Sequence, residues 1–255
     1  MRYLQEACKI AAPHSAGWLL GRSPGEYSAG MPELSVLLAT ALAGVVAGAA
    51  MQSQLVHLRY RLEDEHHLPK RSAVWIIPVT GVLTMLLWAI LAPGFPPFIP
   101  ATYVVAGWVM VALAFIDLDV HRLPDKIQLP AYPVLAALLA VCSHLTGDWG
   151  ALLRAGICGA ALWLFYFLLI FVLPAGSIGF GDVKLAGLLG MLLGWLTWSH
   201  IIIATMATFL IGGVVAAALL VTRRKGRKDE FAYGPSMLLG AVVAIASPLF
   251  LRSLL

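Results

Sequence analysis

The chain has 255 residues, of which 60% are hydrophobic and only 12% charged, where about 25% charged is usual. That balance excludes a soluble globular enzyme, a disordered regulator and a nucleic-acid-binding domain. The net charge of +4 is informative only through its distribution along the chain.

Residues 1–33 are mixed and polar and lack the apolar core of a secretory signal, which predicts a poorly ordered N-terminal tail. Met31, just ahead of the first apolar run, offers an alternative start of translation. From there the chain is a series of apolar runs at roughly 34–56, 73–92, 99–116, 129–146, 151–173, 183–198, 200–221 and 236–251. A spanning helix needs about 20 such residues. The stretch 183–221 is too long for one helix and divides near Thr197, Ser199 and His200. The runs are too long for barrel strands, and in lipid only helices satisfy their own backbone. The expected fold is therefore an all-α polytopic membrane bundle of about eight helices, with residues 34–255 forming one membrane-embedded domain.

Loop charge gives the orientation. Twelve of the seventeen basic residues fall in alternate connections, near 57–72, 117–128, 184 and 222–235. By the positive-inside rule that side is cytoplasmic, which with eight spans leaves both termini outside. The glycine pairs Gly44/Gly48 and Gly190/Gly194 are spaced for close helix packing, with a special role in dimerisation as the alternative reading. Cys8, Cys142 and Cys158 include no CxxC pair, so neither a zinc knuckle nor a thioredoxin-like motif is present, and the last two read as small core residues.

Two acids stand apart from the tails and basic loops. Asp117 ends the run VALAFI, and Asp182 lies in GFGDVKL between the fifth and sixth runs. In this topology both sit at the cytoplasmic membrane edge, where a carboxylate is costly to bury and faces the bundle interior or a wet cavity. Two adjacent carboxylates share one proton and titrate as a pair. The ionised member can take a proton from water while the protonated member polarises a scissile carbonyl. Gly179 and Gly181 would allow positive φ and close approach of a peptide to Asp182. Around Asp117, Asp119 reads equally as a supporting hydrogen-bonding group or a solvated loop acid, His121 as a loop residue, and Asp125 as a helix-start acid or a partner of the site. Lys184 reads as a loop-positioning or a snorkelling lysine. His66 and His67 read as polar loop residues, and no metal site is expected.

The segments FIDLDVHRLPD (115–125), GFGDVKLAGLLG (179–190) and FAYGPSMLLG (231–240) resemble, in order and spacing, the three signature segments of the type IV prepilin peptidase family of GxGD membrane aspartyl proteases. The resemblance covers about 57–251. It implies an aspartic endopeptidase with Asp117 and Asp182 as catalytic residues, supported by Gly179, Gly181, Lys184, Asp119, Asp125, Gly234 and Pro235. It also implies cleavage of the basic leader of prepilin-like or pseudopilin proteins at the cytoplasmic face of a bacterial or archaeal inner (plasma) membrane. Membrane lipids are further partners, nucleic acid is not, and proteolysis needs no cofactor. Many members carry two CxxC pairs after the first span, where this chain has only sixteen residues (57–72). That argues for a compact form and against N-methylation from S-adenosylmethionine. The family's Asn and Arg-Leu-Pro near the first span are faintly echoed in QSQLVHLRYRLE (52–63), and Ala232 and Tyr233 replace a usual Pro-Phe. Two other readings stay open: a metal-dependent phosphate or sugar-lipid transferase using DLD (117–119), and a non-catalytic transporter whose acids bind ions.

Overall fold

The structure is a computed structural model that describes residues 32–57, 60–65, 71–173, 178–221 and 233–254. The tail expected at 1–33 lies outside the described residues up to Met31, as do His66, His67 and Ala232. The described residues form eight α-helices and no strand: α1 (Leu34–Val56), α2 (Ile76–Leu91), α3 (Phe98–Val120), α4 (Asp125–Thr146), α5 (Trp149–Val172), α6 (Phe180–Leu196), α7 (Trp198–Val221) and α8 (Gly234–Leu254). A 3₁₀ turn at Glu63–Glu65 lies between α1 and α2. Five helices are long and apolar enough to cross a membrane, namely α1, α3, α4, α5 and α7, the last over Trp198–Ala218. The outward faces of several helices are apolar, with Leu34, Phe171 and Leu210 all exposed. The chain is a polytopic helical membrane bundle.

The shorter α6 is the centre of the bundle. From Val183 to Leu196 it is buried at almost every position, so its all-round hydrophobicity reflects protein rather than lipid neighbours. Small residues make this possible. A Cβ on Gly190 would lie 2.6 Å from the carbonyl oxygen of Cys158, and one on Gly194 would overlap the Cys158 side chain, so α5 and α6 pack backbone to backbone. Gly44 and Gly48 do the same for α1 against Thr80, Gly81 and Ile77 of α2. Both glycine pairs therefore serve packing within the chain.

Polar side chains fasten the ends of α6. At its C-terminus, Arg154 of α5 donates to the carbonyls of Gly194 (2.6 Å), Trp195 (2.6 Å) and Leu196 (3.0 Å), matching a cation to the negative helix end. Thr197 then takes an extended conformation and is the only residue separating α6 from α7, close to where the apolar run divides. Along α6, the buried Tyr103 hydroxyl donates to the Leu192 carbonyl (2.7 Å) and Trp195 Nε1 to Ser143 Oγ (2.9 Å).

Three helix boundaries differ from the sequence expectation, and all matter for the site. α6 starts at Phe180, which places Asp182 in its first turn rather than between two spans. α3 runs on to Val120, so Asp117 and Asp119 lie within its last turn instead of in a loop. α4 starts at Asp125, directly after Pro124, and carries Pro130 and Pro133 inside it.

Candidate active site

The last turn of α3 and the first turns of α4, α6 and α8 meet at one end of the bundle, and with them come Asp117 and Asp182. Asp117 is 4% exposed and Asp182 8%. The two carboxylates are close enough for their charges to interact. Asp182, in the first turn of α6, faces the positive end of its own helix, and its Oδ2 accepts the Gly179 N–H at 3.0 Å. Asp117 lies at the opposite, carbonyl end of α3, where an anion is disfavoured. The N-terminus of α8 compensates: the Gly234 N–H donates to Asp117 Oδ2 at 2.9 Å. A Cβ on Gly234 would sit 2.7 Å from that oxygen, so this contact requires glycine.

Gly179 and Gly181 differ from the expectation of positive φ. Among the described residues only Gly147 and His121 have it. Helix formation from Phe180 onward leaves no place for a left-handed turn here. Gly181 matters through close approach instead, since its Cβ would lie 2.9 Å from Leu123 Cβ, pinning the start of α6 to the turn between α3 and α4. A Cβ on Gly179 would make only an ordinary contact, 3.5 Å from Asp182 Oδ2.

Asp119 is no solvated loop acid. Its side chain is fully buried with that of Arg61. Arg61 Nε donates to Oδ2 (2.9 Å), Nη2 to Oδ1 (2.8 Å), and the Tyr60 hydroxyl to Oδ2 (2.6 Å). Arg122 continues the network, donating to Glu65 Oε1 (2.7 Å) and Oε2 (2.8 Å) and to the Tyr60 carbonyl (3.1 Å). The Arg122 guanidinium holds the Glu65 carboxyl below its usual range, while burial and then Asp119 push the Tyr60 hydroxyl up. These bonds tie residues 60–65 to the end of α3. They also weaken the DxD reading, because both Asp119 oxygens are engaged and residues i and i+2 of a helix do not face one ligand.

Asp125 opens α4 and forms an ion pair with Lys184, whose ammonium also stands 4.9 Å from the centre of the Phe180 ring. Lys184 thus links the starts of α6 and α4. Pro235, with Trp75 and Leu118, lines an apolar cavity of about 260 Å³. A larger cleft of about 660 Å³ has Tyr60, Leu123, Ile127, Phe180, Gly181 and Lys184 among its walls, so it opens beside the residue preceding Asp182.

Sequence reasoning missed three groups. Tyr60 and Arg61 lie in the segment 52–63, whose faint family echo was the available signal. Gln128 is fully buried and donates through Nε2 to the Gly181 carbonyl at 2.9 Å; nothing in its local pattern marks it. Tyr233, whose ring centroid stands 6.4 Å from that of Tyr166, directly precedes Gly234, whose N–H holds Asp117, so the tyrosine at 233 adds an aromatic group beside that contact.

Comparison with known proteins agrees with these motifs. The family model of the type IV leader peptidase family matches residues 104–221. The chain is 29% identical over 171 residues to the prepilin leader peptidase/N-methyltransferase of Aeromonas hydrophila, covering 66% of this chain and 55% of that one. It is 30% identical over 173 residues to the protein of that name from Aeromonas salmonicida (strain A449), covering 66% and 57%. For the one from Bacillus subtilis (strain 168) the identity is 26% over 135 residues, covering 53% and 51%. The chain thus spans little more than half the length of these curated relatives. No solved structure matches it. Residues 104–221, which contain both aspartate motifs, are thus similar to the type IV leader peptidase family.

Proposed function

We propose that the chain is a membrane aspartic endopeptidase that removes the leader of prepilin-like proteins at the cytoplasmic face of the inner membrane, with Asp117 and Asp182 as its catalytic pair. The observation that carries this reading is the meeting of two buried, interacting carboxylates from α3 and α6, each oriented by one backbone N–H. The family match and the relatives' names support the substrate class. The basic residues of alternate connections support the cytoplasmic side.

In this mechanism one carboxylate is ionised and removes a proton from water, and the other is protonated and donates to the carbonyl oxygen of the scissile bond. Water oxygen bonds to the carbonyl carbon, giving a tetrahedral diol. A proton passes to the departing nitrogen, the C–N bond breaks, and the products are a leader carboxylate and a mature protein with a free N-terminal amine. The protons cycle within the pair, so cleavage needs no cofactor. The cleft beside Gly181 has the volume usual for ligand sites and reaches the residue before Asp182, with neither aspartate in its own walls. Gly234 orients Asp117, Lys184 and Asp125 brace the start of α6 against α4, and Asp119 anchors residues 60–65.

Co-expression with a prepilin tests this reading. The substrate shortens on a gel when the wild-type chain is present, and stays full length with Asp117→Asn or Asp182→Asn although each variant still inserts. Processing by both variants would end the two-aspartate assignment. Processing that needs Mg²⁺ and survives loss of Asp182 would favour the DxD transferase chemistry instead.

A further inference from the structure

The Gln128 amide is an expensive group to keep in the core of the bundle end. It is 0% exposed. Nε2 donates to the Gly181 carbonyl at 2.9 Å, whereas Oε1 is buried with no hydrogen-bond partner among the described residues. A buried polar atom left unpaired is destabilising, and an apolar side chain of the same length would remove that penalty. Packing therefore does not account for glutamine here. The one bond it makes does have a consequence for the site, because Gly181 directly precedes Asp182.

Three restraints converge on that residue pair. Leu123 blocks any side chain at 181. The Gly179 N–H holds the Asp182 carboxylate. Gln128 reaches across from α4 to the peptide plane joining Gly181 to Asp182. Without that cross-bond, the start of α6 would be held by Leu123 from the turn before α4, by the Tyr132 hydroxyl donating to the Lys184 carbonyl (2.6 Å) two residues beyond Asp182, and by the Lys184–Asp125 pair, whose Asp125 side chain is 56% exposed. Exposed ion pairs restrain weakly.

Resting on the assignment of Asp182 to the catalytic pair, we infer that Gln128 is a positioning residue, fixing the Gly181–Asp182 peptide plane from α4 so that the Asp182 carboxylate is aimed at its reacting partner. It touches no substrate. Its loss should therefore appear in turnover, because small misplacements of a reacting group are costly in rate while substrate contacts stay intact.

The test uses the full-length chain purified in detergent, with a prepilin substrate, and compares wild type with Gln128→Met, Gln128→Glu and Asp182→Asn. Gln128→Met keeps length and removes the buried amide. It is expected to lower kcat by about 10- to 100-fold, with KM within about twofold and thermal stability equal to or above wild type. Gln128→Glu keeps length and polarity but turns an acceptor towards the Gly181 carbonyl, and it should lower kcat at least as far. It provides the answer if Gln128→Met folds poorly. Wild-type kcat in either folded variant beside an inactive Asp182→Asn overturns the role of Gln128 and leaves the catalytic pair standing. So does a fall in activity matched by a fall in stability in both variants. Activity retained by Asp182→Asn overturns both assignments.

Discussion

At the residue scale, two backbone positions carry the geometry around Asp117. His121 closes α3 in a left-handed conformation (φ 51°), its N–H donating to the Asp117 carbonyl at 2.9 Å. That conformation costs a non-glycine residue about 1–2 kcal/mol. His121→Gly should accordingly stabilise the protein by up to about 1 kcal/mol, read as a higher midpoint in a thermal melt; an unchanged or lower midpoint would mean that the histidine side chain repays its backbone. Gly234 is the converse case, where the smallest added side chain would fall 2.7 Å from Asp117 Oδ2. Gly234→Ala should lower kcat by at least about tenfold in a folded protein. Neither position could be derived from periodicity, since both needs arise from a contact or a dihedral, although Gly234 was marked by its motif.

At the element scale, the connection between α1 and α2 is held by buried charge. Arg61 and Asp119 are 58 positions apart, and their side chains are wholly buried together. Breaking such a pair from one side leaves a lone buried charge and costs about 3–5 kcal/mol. Asp119→Ala should show that loss in denaturation, and adding Arg61→Met should recover much of it. Their neighbour Glu65 gives a pH signature. Its carboxyl is held below the usual range by Arg122, so it binds fewer protons folded than unfolded at mildly acidic pH. Its contribution is full above the unfolded-state pKa and is lost as pH falls through the lower folded one. Limited proteolysis should find residues 60–65 protected at neutral pH and increasingly cleaved as the pH falls below the ordinary carboxylate range, with Arg122→Gln susceptible throughout. The helices themselves were legible in the sequence because each apolar run is close to a membrane span in length. The run of α3 past Asp117 was not, since the partner that allows Asp119 to continue a buried helix lies in another segment.

At the scale of the whole molecule, a buried helix, α6, carries one aspartate at its start and is gripped by Arg154 at its end. α5 closes on it through glycine faces, so Gly190→Ala, placing a Cβ 2.6 Å from the Cys158 carbonyl oxygen, should cost about 1–3 kcal/mol, measurable as a lower melting midpoint in detergent. Although only five of the eight described helices are long and apolar enough to span a membrane, the count of helices, the gathering of Asp117 and Asp182 at one end of the bundle and the likeness to the family were readable from runs and motifs. That α6 is central was not, because a helix buried by protein and one bathed in lipid are equally apolar. Gln128 was hidden for a similar reason: its role lies in a bond to another helix. A proton-sharing aspartate pair that cleaves without a cofactor is put to the test by single-turnover cleavage of a prepilin by the purified, chelator-treated chain, with the new N-terminus identified by mass spectrometry. Such a pair leaves wild type fully active under chelator and gives no mature N-terminus with Asp117→Asn or with Asp182→Asn. Cleavage abolished by the chelator, or a mature N-terminus produced by either folded variant at the wild-type rate, would contradict it.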